Sequence, residues 1–306
     1  MALNSLAYAA QLQKALDESA TLGLTSGWMD ANAGQVVYNG GNKVRLPQME
    51  TTGLKDYDRD NGYPEGSVTL NYKDYDMTMD RGTSFQLDSM DVNETNFIAN
   101  ATSVTSSFQK EHVLPEIDAY RYSKLYALLA AGGRAAAPYT AKAADVMDAL
   151  LADIGKIREE VGEDVPLVIS IAQSVKTMLE LNDKFAKRLN VADFKAGAIS
   201  TQLKQIDNCF LKAVPSSRMK TAYIFKDGKS EGEKEGGFAP AESARQINWI
   251  ITVQKAPIAV TKQDKMKIID PDTYQKADAW FIGYRRYHEL WLPESRYKKG
   301  FVNAEG

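Results

Sequence analysis

The sequence predicts an α+β protein, and three stretches of its 306 residues carry that prediction. The first is Asn96 to Ala131, where Phe97, Ala101, Val104 and Phe108 fall on one helical stripe and Ile117, Tyr120, Lys124 and Leu128 continue it. The second is Val36 to Leu87, which changes to strand and turn signals. The third is a helix–strand–helix run from Thr140 to Leu189, followed by strand-like segments to Glu294.

In chain order, residues 3 to 20 form a weakly amphipathic helix on Leu3, Leu6, Leu12 and Leu16. A helix that short is stable only when docked on something else, and the TLGLTSGWMDANAGQ that follows is rich in Gly, Ser and Thr. The first thirty-odd residues therefore read as an arm. Beyond it, Val68, Leu70 and Tyr72 alternate with Thr69 and Asn71, and after a slip the alternation resumes at Tyr75, Met77 and Met79. Two strands with a polar loop between them are predicted. Their apolar content is thin for a core, and an isolated two-stranded ribbon is marginal in water, so its surface is expected to be completed by another copy of the chain.

The long helix would reach roughly 50 Å at about 1.5 Å per residue. Pro115 lies inside it, and a proline there removes a donor and clashes with the preceding turn. A bend or one-turn break is expected between Glu111 and Glu116. Gly132, Gly133 and Pro138 then punctuate the chain. Thr140 is the expected N-cap of a helix running to Val161 with Val146, Leu150, Ile154 and Ile157 on one face, stopped by Gly162. VPLVISIA from Val165 reads as a buried strand and SVKTMLELNDKFAKRL as a helix with Val175, Met178, Leu179 and Leu181 apolar. The strand pattern from Ala198 turns near Asp207 and Asn208. KDGKSEGEKEGG is a solvent-facing loop. INWIITVQKAPIAVTKQDKMKIIDP is strand-like, and AWFIGYRRYHELWLPE is a strong strand that closes the fold.

Composition narrows the function. With 37 basic and 40 acidic residues, no global field recruits nucleic acid or an anionic membrane. Cys209 is the single cysteine, so an intrachain disulfide and a cysteine zinc site are excluded, and it reads as a small buried hydrophobe. Two histidines make a histidine metal site improbable. His112 is expected to be structural. The N-terminus lacks secretory features, and no stretch is long and apolar enough to span a bilayer. The acids of DYDRDNG fail as a calcium loop: counting from Asp56, Asn61 stands where Gly is needed and Ser67 where Glu is needed. GGNK lacks the spacing of a phosphate loop, and no nucleophile elbow occurs. Catalytic, cofactor-binding and metal-binding residues are therefore assigned to none of the chain. The Arg/aromatic cluster from Tyr284 to Tyr287 reads as a cross-strand ladder more than a base-stacking surface.

The order of parts, together with QKEHVLPEIDAYRYSKL, PLVISIAQSVKTML, IDNCFLKAVPSSRM and DAWFIGYRRYHELWLPE, resembles the major capsid proteins of tailed bacteriophages, the Hong Kong 97-type fold, over nearly the whole chain. That resemblance implies an N-terminal arm at 1–33, an extended β-hairpin loop at 34–91 and a peripheral domain with the spine helix at 92–138. It places an axial domain at 139–276, a peripheral return strand at 277–297, and a C-terminal tail at 298–306 that rejoins the axial domain. It implies a non-enzymatic shell protein that assembles as hexamers and pentamers around a double-stranded DNA genome. Its partners would be other copies of itself, a scaffolding protein and a portal, with weak non-specific contact to packaged DNA, no membrane and no cofactor. Its place would be the virion, after assembly in the host cytoplasm. The arm is too short for a fused scaffolding segment, and no motif assigns Lys55 to the covalent cross-link of one branch of the family. An encapsulin-like nanocompartment shell and a carboxylate-based hydrolase are the alternatives.

Overall fold

A computed structural model describes residues 23–38, 41–60, 62–88, 105–182, 189–196 and 199–306. Phe97, Ala101, Val104 and the predicted helix of residues 3 to 20 lie outside the described residues.

The long helix is present from Thr105. It passes through one π-helical turn at Gln109–Val113 and continues as α1 (Leu114–Ala131). The expected interruption therefore takes the form of a widened turn. The Pro115 nitrogen has no proton to give Glu111, and the ladder adjusts by one residue so that the Leu114 N–H donates to the Gln109 carbonyl. Burial is broader than the predicted stripe: Ile117 and Tyr120 are buried, but so are Asp118, Ala119, Arg121, Tyr122, Leu125 and Leu129. Lys124 and Leu128 are only half-buried. The helix is surrounded on several sides, which a single amphipathic face does not describe.

The main core lies on a six-stranded sheet in the order β14-β11-β5-β8-β7-β6, formed by β5 (Leu167–Ala172), β6 (Leu189–Ala196), β7 (Ile199–Ile206), β8 (Cys209–Val214), β11 (Ile247–Val253) and β14 (Gly300–Ala304). Strand β5 is buried at every position, as its unbroken apolar run requires, and pairs in parallel with β8. Ile206 pairs with Cys209 across a two-residue turn, where Asp207 and Asn208 take φ of 44° and 62°. Those positive values are ones that short polar side chains tolerate, so the predicted turn forms where Asp-Asn stands. Cys209 is fully buried.

Two helices pack on this core. α2 (Val146–Val161) ends at Gly162, φ 82°, as predicted, with Val146, Leu150, Ile154 and Ile157 buried. It starts six residues later than Thr140, because the preceding chain is engaged elsewhere. The Tyr139 N–H donates to the Ala304 carbonyl, 3.0 Å, and the Tyr139 hydroxyl to Asp145, 2.7 Å. α3 (Gln173–Glu180) is shorter than predicted: Leu181 is 72% exposed, and Leu189 to Ala196 is a strand. The Asn182 amide donates to the Ala143 carbonyl at 2.7 Å, which fixes the chain just past the helix end.

A second sheet, β12-β13-β4, joins β12 (Ile258–Ile269), β13 (Ala279–Trp291) and β4 (Met79–Asp88). The Arg/aromatic run of β13 is a cross-strand ladder: Arg285 bonds Asp80 on β4, and Arg286 bonds Asp264 on β12. Strand β13 does not close the fold. A 3₁₀ segment, Glu294–Lys299, leads to β14, whose outer edge is covered by the chain at 134–139. The third sheet, β1-β2-β3, comprises β1 (Val37–Tyr38), β2 (Lys43–Thr51) and β3 (Val68–Asp76). The predicted ribbon is thus β2 with β3. β4, read from sequence as its continuation, crosses to the second sheet.

Candidate assembly surface

Along β2 and β3 the pairing runs without a shift from Lys43↔Asp76 to Thr51↔Val68. The slip between Tyr72 and Tyr75 is therefore not a bulge. It is a change in which face of the ribbon carries apolar side chains, since residues of opposite parity point to opposite faces. Near the body, Val44, Leu46 and Tyr75 face inward and pack with Met77, Ile258, Val260 and Trp291. Farther out, Met49, Val68, Leu70 and Tyr72 share the other face and are 53–69% exposed. Nine residues at about 3.3 Å each carry this ribbon roughly 30 Å. At its tip Leu54, Tyr57 and Tyr63 are exposed, with the two tyrosine rings edge to face at 5.2 Å. Lys55 lies in this tip and donates to the Glu65 carbonyl at 2.7 Å.

The ribbon springs from a rigid base. Buried Glu289 accepts from the Thr78 N–H (3.0 Å) and hydroxyl (2.7 Å), from the Tyr120 hydroxyl and from the Leu290 N–H (3.1 Å). It joins the ribbon's foot to α1 and β13. Burial beside that carboxylate pushes the Tyr120 phenol far above its usual range. Arg81 makes a bidentate pair with Glu116 and also donates to the carbonyls of Lys226 (2.6 Å) and Gly237 (3.0 Å). It thereby clamps the base of the exposed 226–237 loop to α1 and β4.

The leading segment is held in the same way. From Leu24 on it does not behave as a free arm: Leu24, Ser26, Trp28, Met29 and Asn32 are buried. The carboxylate of Asp118, fully buried on α1, accepts from the N–H and hydroxyl groups of both Thr25 and Ser26 at 2.6–3.2 Å and pairs with Arg218 at 3.1 Å. One turn on, Arg121 forms a bidentate pair with Asp30. Sequence reasoning missed this anchor. Its partners lie more than ninety residues apart, and the surrounding Gly, Ser and Thr masked the one large aromatic, Trp28.

His112 is exposed, not buried, with its ring 5.7 Å from that of Phe108. His288, which no pattern singled out, is buried against Tyr120, and burial together with Arg286, Arg121 and Arg81 holds its imidazole well below the usual range. Among the described residues no group of three or more His, Cys, Asp or Glu side chains is arranged to hold a metal ion, and no helix is long and apolar enough to cross a membrane.

This architecture has counterparts among solved structures. The asymmetric unit of the bacteriophage PhiM1 mature capsid superimposes with a TM-score of 0.55 at 12% identity, covering 88% of this chain and 83% of that one. A structure from Microbacterium phage Oxtober96 gives 0.54 at 12%, covering 88% of each. A virus-like particle from Pyrococcus furiosus gives 0.54 at 9%, covering 97% of this chain and 99% of that one. No family model and no curated protein matches the sequence. The likeness is one of fold: the chain has the Hong Kong 97-like α+β fold of tailed-phage capsids.

Proposed function

We propose that the chain is a structural shell protein whose copies assemble, as hexamers and pentamers, into the icosahedral head of a tailed phage around double-stranded DNA. The observation that carries this reading is the change of covered face along the β2–β3 ribbon. Its inner half is stabilised by the chain's own body, while its outer half presents apolar side chains that gain burial only on another molecule. The divisions of labour that go with this reading are an arm at 1–33, an extended loop at 34–91, peripheral parts at 92–138 and 277–297, and axial parts at 139–276 and 298–306. A scaffolding protein and a portal are the partners it calls for, with packaged DNA touched weakly and non-specifically. The chemistry of such a role is non-enzymatic. The test is sedimentation and electron microscopy of the purified chain, alone and with a scaffolding protein. Capsomers or closed shells are expected, and a species that stays a single chain in both conditions overturns the proposal.

A second reading within the same fold is an encapsulin-like nanocompartment shell. It is favoured by the near-complete mutual coverage with the Pyrococcus furiosus particle. The contents of purified particles separate the two: double-stranded DNA for a phage head, a packaged cargo enzyme for a compartment.

A further inference from the structure

α2 meets β14 through one shared carboxylate, that of Asp153, which is buried. Its Oδ1 accepts from the Lys156 ammonium at 3.0 Å, and its Oδ2 accepts from the Asn303 side-chain amide at 3.0 Å and from the Trp249 indole at 3.1 Å. Lys156 stands one helical turn on, with Nζ 4.5 Å from the centre of the Phe301 ring. Phe301 and Asn303 are alternate residues of β14 and share the face turned to α2. An amine and a primary amide are thus held by the two oxygens of one carboxylate, beside an aromatic ring. The amide carbonyl is held as well: Asn303, itself buried, accepts at Oδ1 from the Asn248 amide at 2.8 Å. A bulge aims that donor. β11 pairs Ile247 with Ala304 and Trp249 with Asn303, so Asn248 is an extra residue opposite β14. The bulge lets two consecutive side chains, Asn248 and Trp249, both turn onto the Asp153 and Asn303 pair. The aim leaves Asn248 Oδ1 buried with no hydrogen-bond partner among the described residues, which is unfavourable for the fold.

We propose that Lys156 and Asn303 join in an intrachain isopeptide bond, which the chain forms on itself. The Lys156 ammonium gives a proton to Asp153, and the freed amine attacks Asn303 Cγ. The Asn248 amide holds the oxygen on which negative charge gathers. The Nζ–Cγ bond forms and the Cγ–Nδ2 bond breaks. The two protons displaced from the lysine nitrogen pass by way of Asp153 to the asparagine nitrogen, which leaves as ammonium. Atoms and charge balance with no oxidant and no cofactor. Half of the Lys156 side chain is open to solvent, and on that side ammonium departs. The bond ties α2 to the last strand and closes the chain between them into a covalent loop, which restricts the unfolded state as a disulfide does. The inference concerns a single copy and stands apart from the shell reading.

Mass spectrometry of the purified full chain tests it. After incubation at mildly alkaline pH, most molecules of the unaltered chain are expected to be lighter than their sequence by one ammonia, about 17 Da. Trypsin does not cut at a lysine joined in an amide, so the digest is expected to hold a branched species in which residues 143–158 are linked to 300–306. Lys156→Arg keeps the charge of an exposed side chain, and Asp153→Asn keeps the size of the buried base. Both are expected to retain the full mass and to release separate peptides. Circular dichroism reports whether each is folded, and Lys156→Arg carries the comparison if the buried substitution unfolds the chain. Full mass in the folded, unaltered chain overturns the bond. So does a loss of ammonia that persists in Lys156→Arg or comes without the branched species, because a cyclised Asn-Gly step loses the same mass. A branched species in folded Asp153→Asn overturns the role given to Asp153.

Discussion

At the scale of single residues, His288 is a neutral imidazole wedged among guanidinium groups. Its Nδ1 is buried with no hydrogen-bond partner among the described residues, its ring stands edge-on to Tyr120 at 5.5 Å, and Arg286, Arg121 and Arg81 all raise the potential around it. Because its folded pKa is depressed, the unfolded chain takes up a proton below about pH 6.5 that the folded chain refuses. Stability is therefore unaffected by His288 above that pH and falls as pH drops below it, by at most about 1.4 kcal/mol per pH unit. His288→Gln is expected to flatten that part of the acid limb. Urea denaturation of the unassembled subunit at pH 7.5 and 5.5 reads it, and an unchanged difference between the two would refute the assignment. Asp118 presents the opposite case, a carboxylate at zero exposure that receives bonds from Thr25, Ser26 and Arg218. Asp118→Ala strands those donors and is expected to destabilise the fold by about 3 kcal/mol. Limited proteolysis should then cut within residues 24–35 before any other buried segment. Trp28 and Asp118 explain why this anchor escapes sequence reasoning: one is hidden in a Gly/Ser/Thr-rich stretch, the other is a charged residue on what reads as the polar flank of a helix.

At the scale of elements, the end of α1 is set by a close approach. Gly132 caps the helix, and a Cβ placed there would come within 2.4 Å of the Tyr297 ring. The ring belongs to the 3₁₀ segment that leads into β14, so Gly132→Ala is expected to push that segment off the helix and lower stability by about 1–3 kcal/mol. The readout is thermal unfolding, with Gly155→Ala as a control, since a Cβ there meets nothing within 4 Å. Several elements are legible in the sequence alone. The run LVISIA is a buried strand, Asp207-Asn208 is a turn, Gly162 stops a helix, and Pro115 breaks the regular ladder of another. Each is written in local backbone chemistry. β6 was not, because α3 ends at Glu180 and the chain past it pairs with β7, a partner that local periodicity does not reveal. The start of α2 was misplaced for a related reason: Tyr139 is held by Ala304, more than 160 residues away.

At the scale of the whole molecule, the chain is stable in one part and unsatisfied in another. The six-stranded sheet, α1 and α2 share one continuous core, whereas Met49, Val68, Leu70 and Tyr72 are left uncovered on the ribbon. Each such side chain is worth about 1.5–3 kcal/mol when fully buried, so on the shell reading proposed above their burial against a neighbouring copy would favour association. Leu70→Asp/Tyr72→Asp is accordingly expected to leave the unfolding midpoint of the isolated subunit unchanged while abolishing capsomers in sedimentation. Loss of the fold itself would mean that the ribbon stabilises its own body and not a neighbour's.

The sequence by itself determined the α+β class, the order of the parts and the presence of an outlying ribbon, because helix and strand periods and turn residues act over a few neighbouring positions. It even recorded, as a slip between Tyr72 and Tyr75, that the ribbon changes its covered face. Only the tertiary structure decided what that slip means, since a parity change reads alike for a bulge and for a switch of partner until the register is known. The same holds for the Asp118 and Arg121 anchors and for β6. Each is made by residues far apart in the chain whose meeting depends on how the sheets stack, and burial of that kind leaves no local trace.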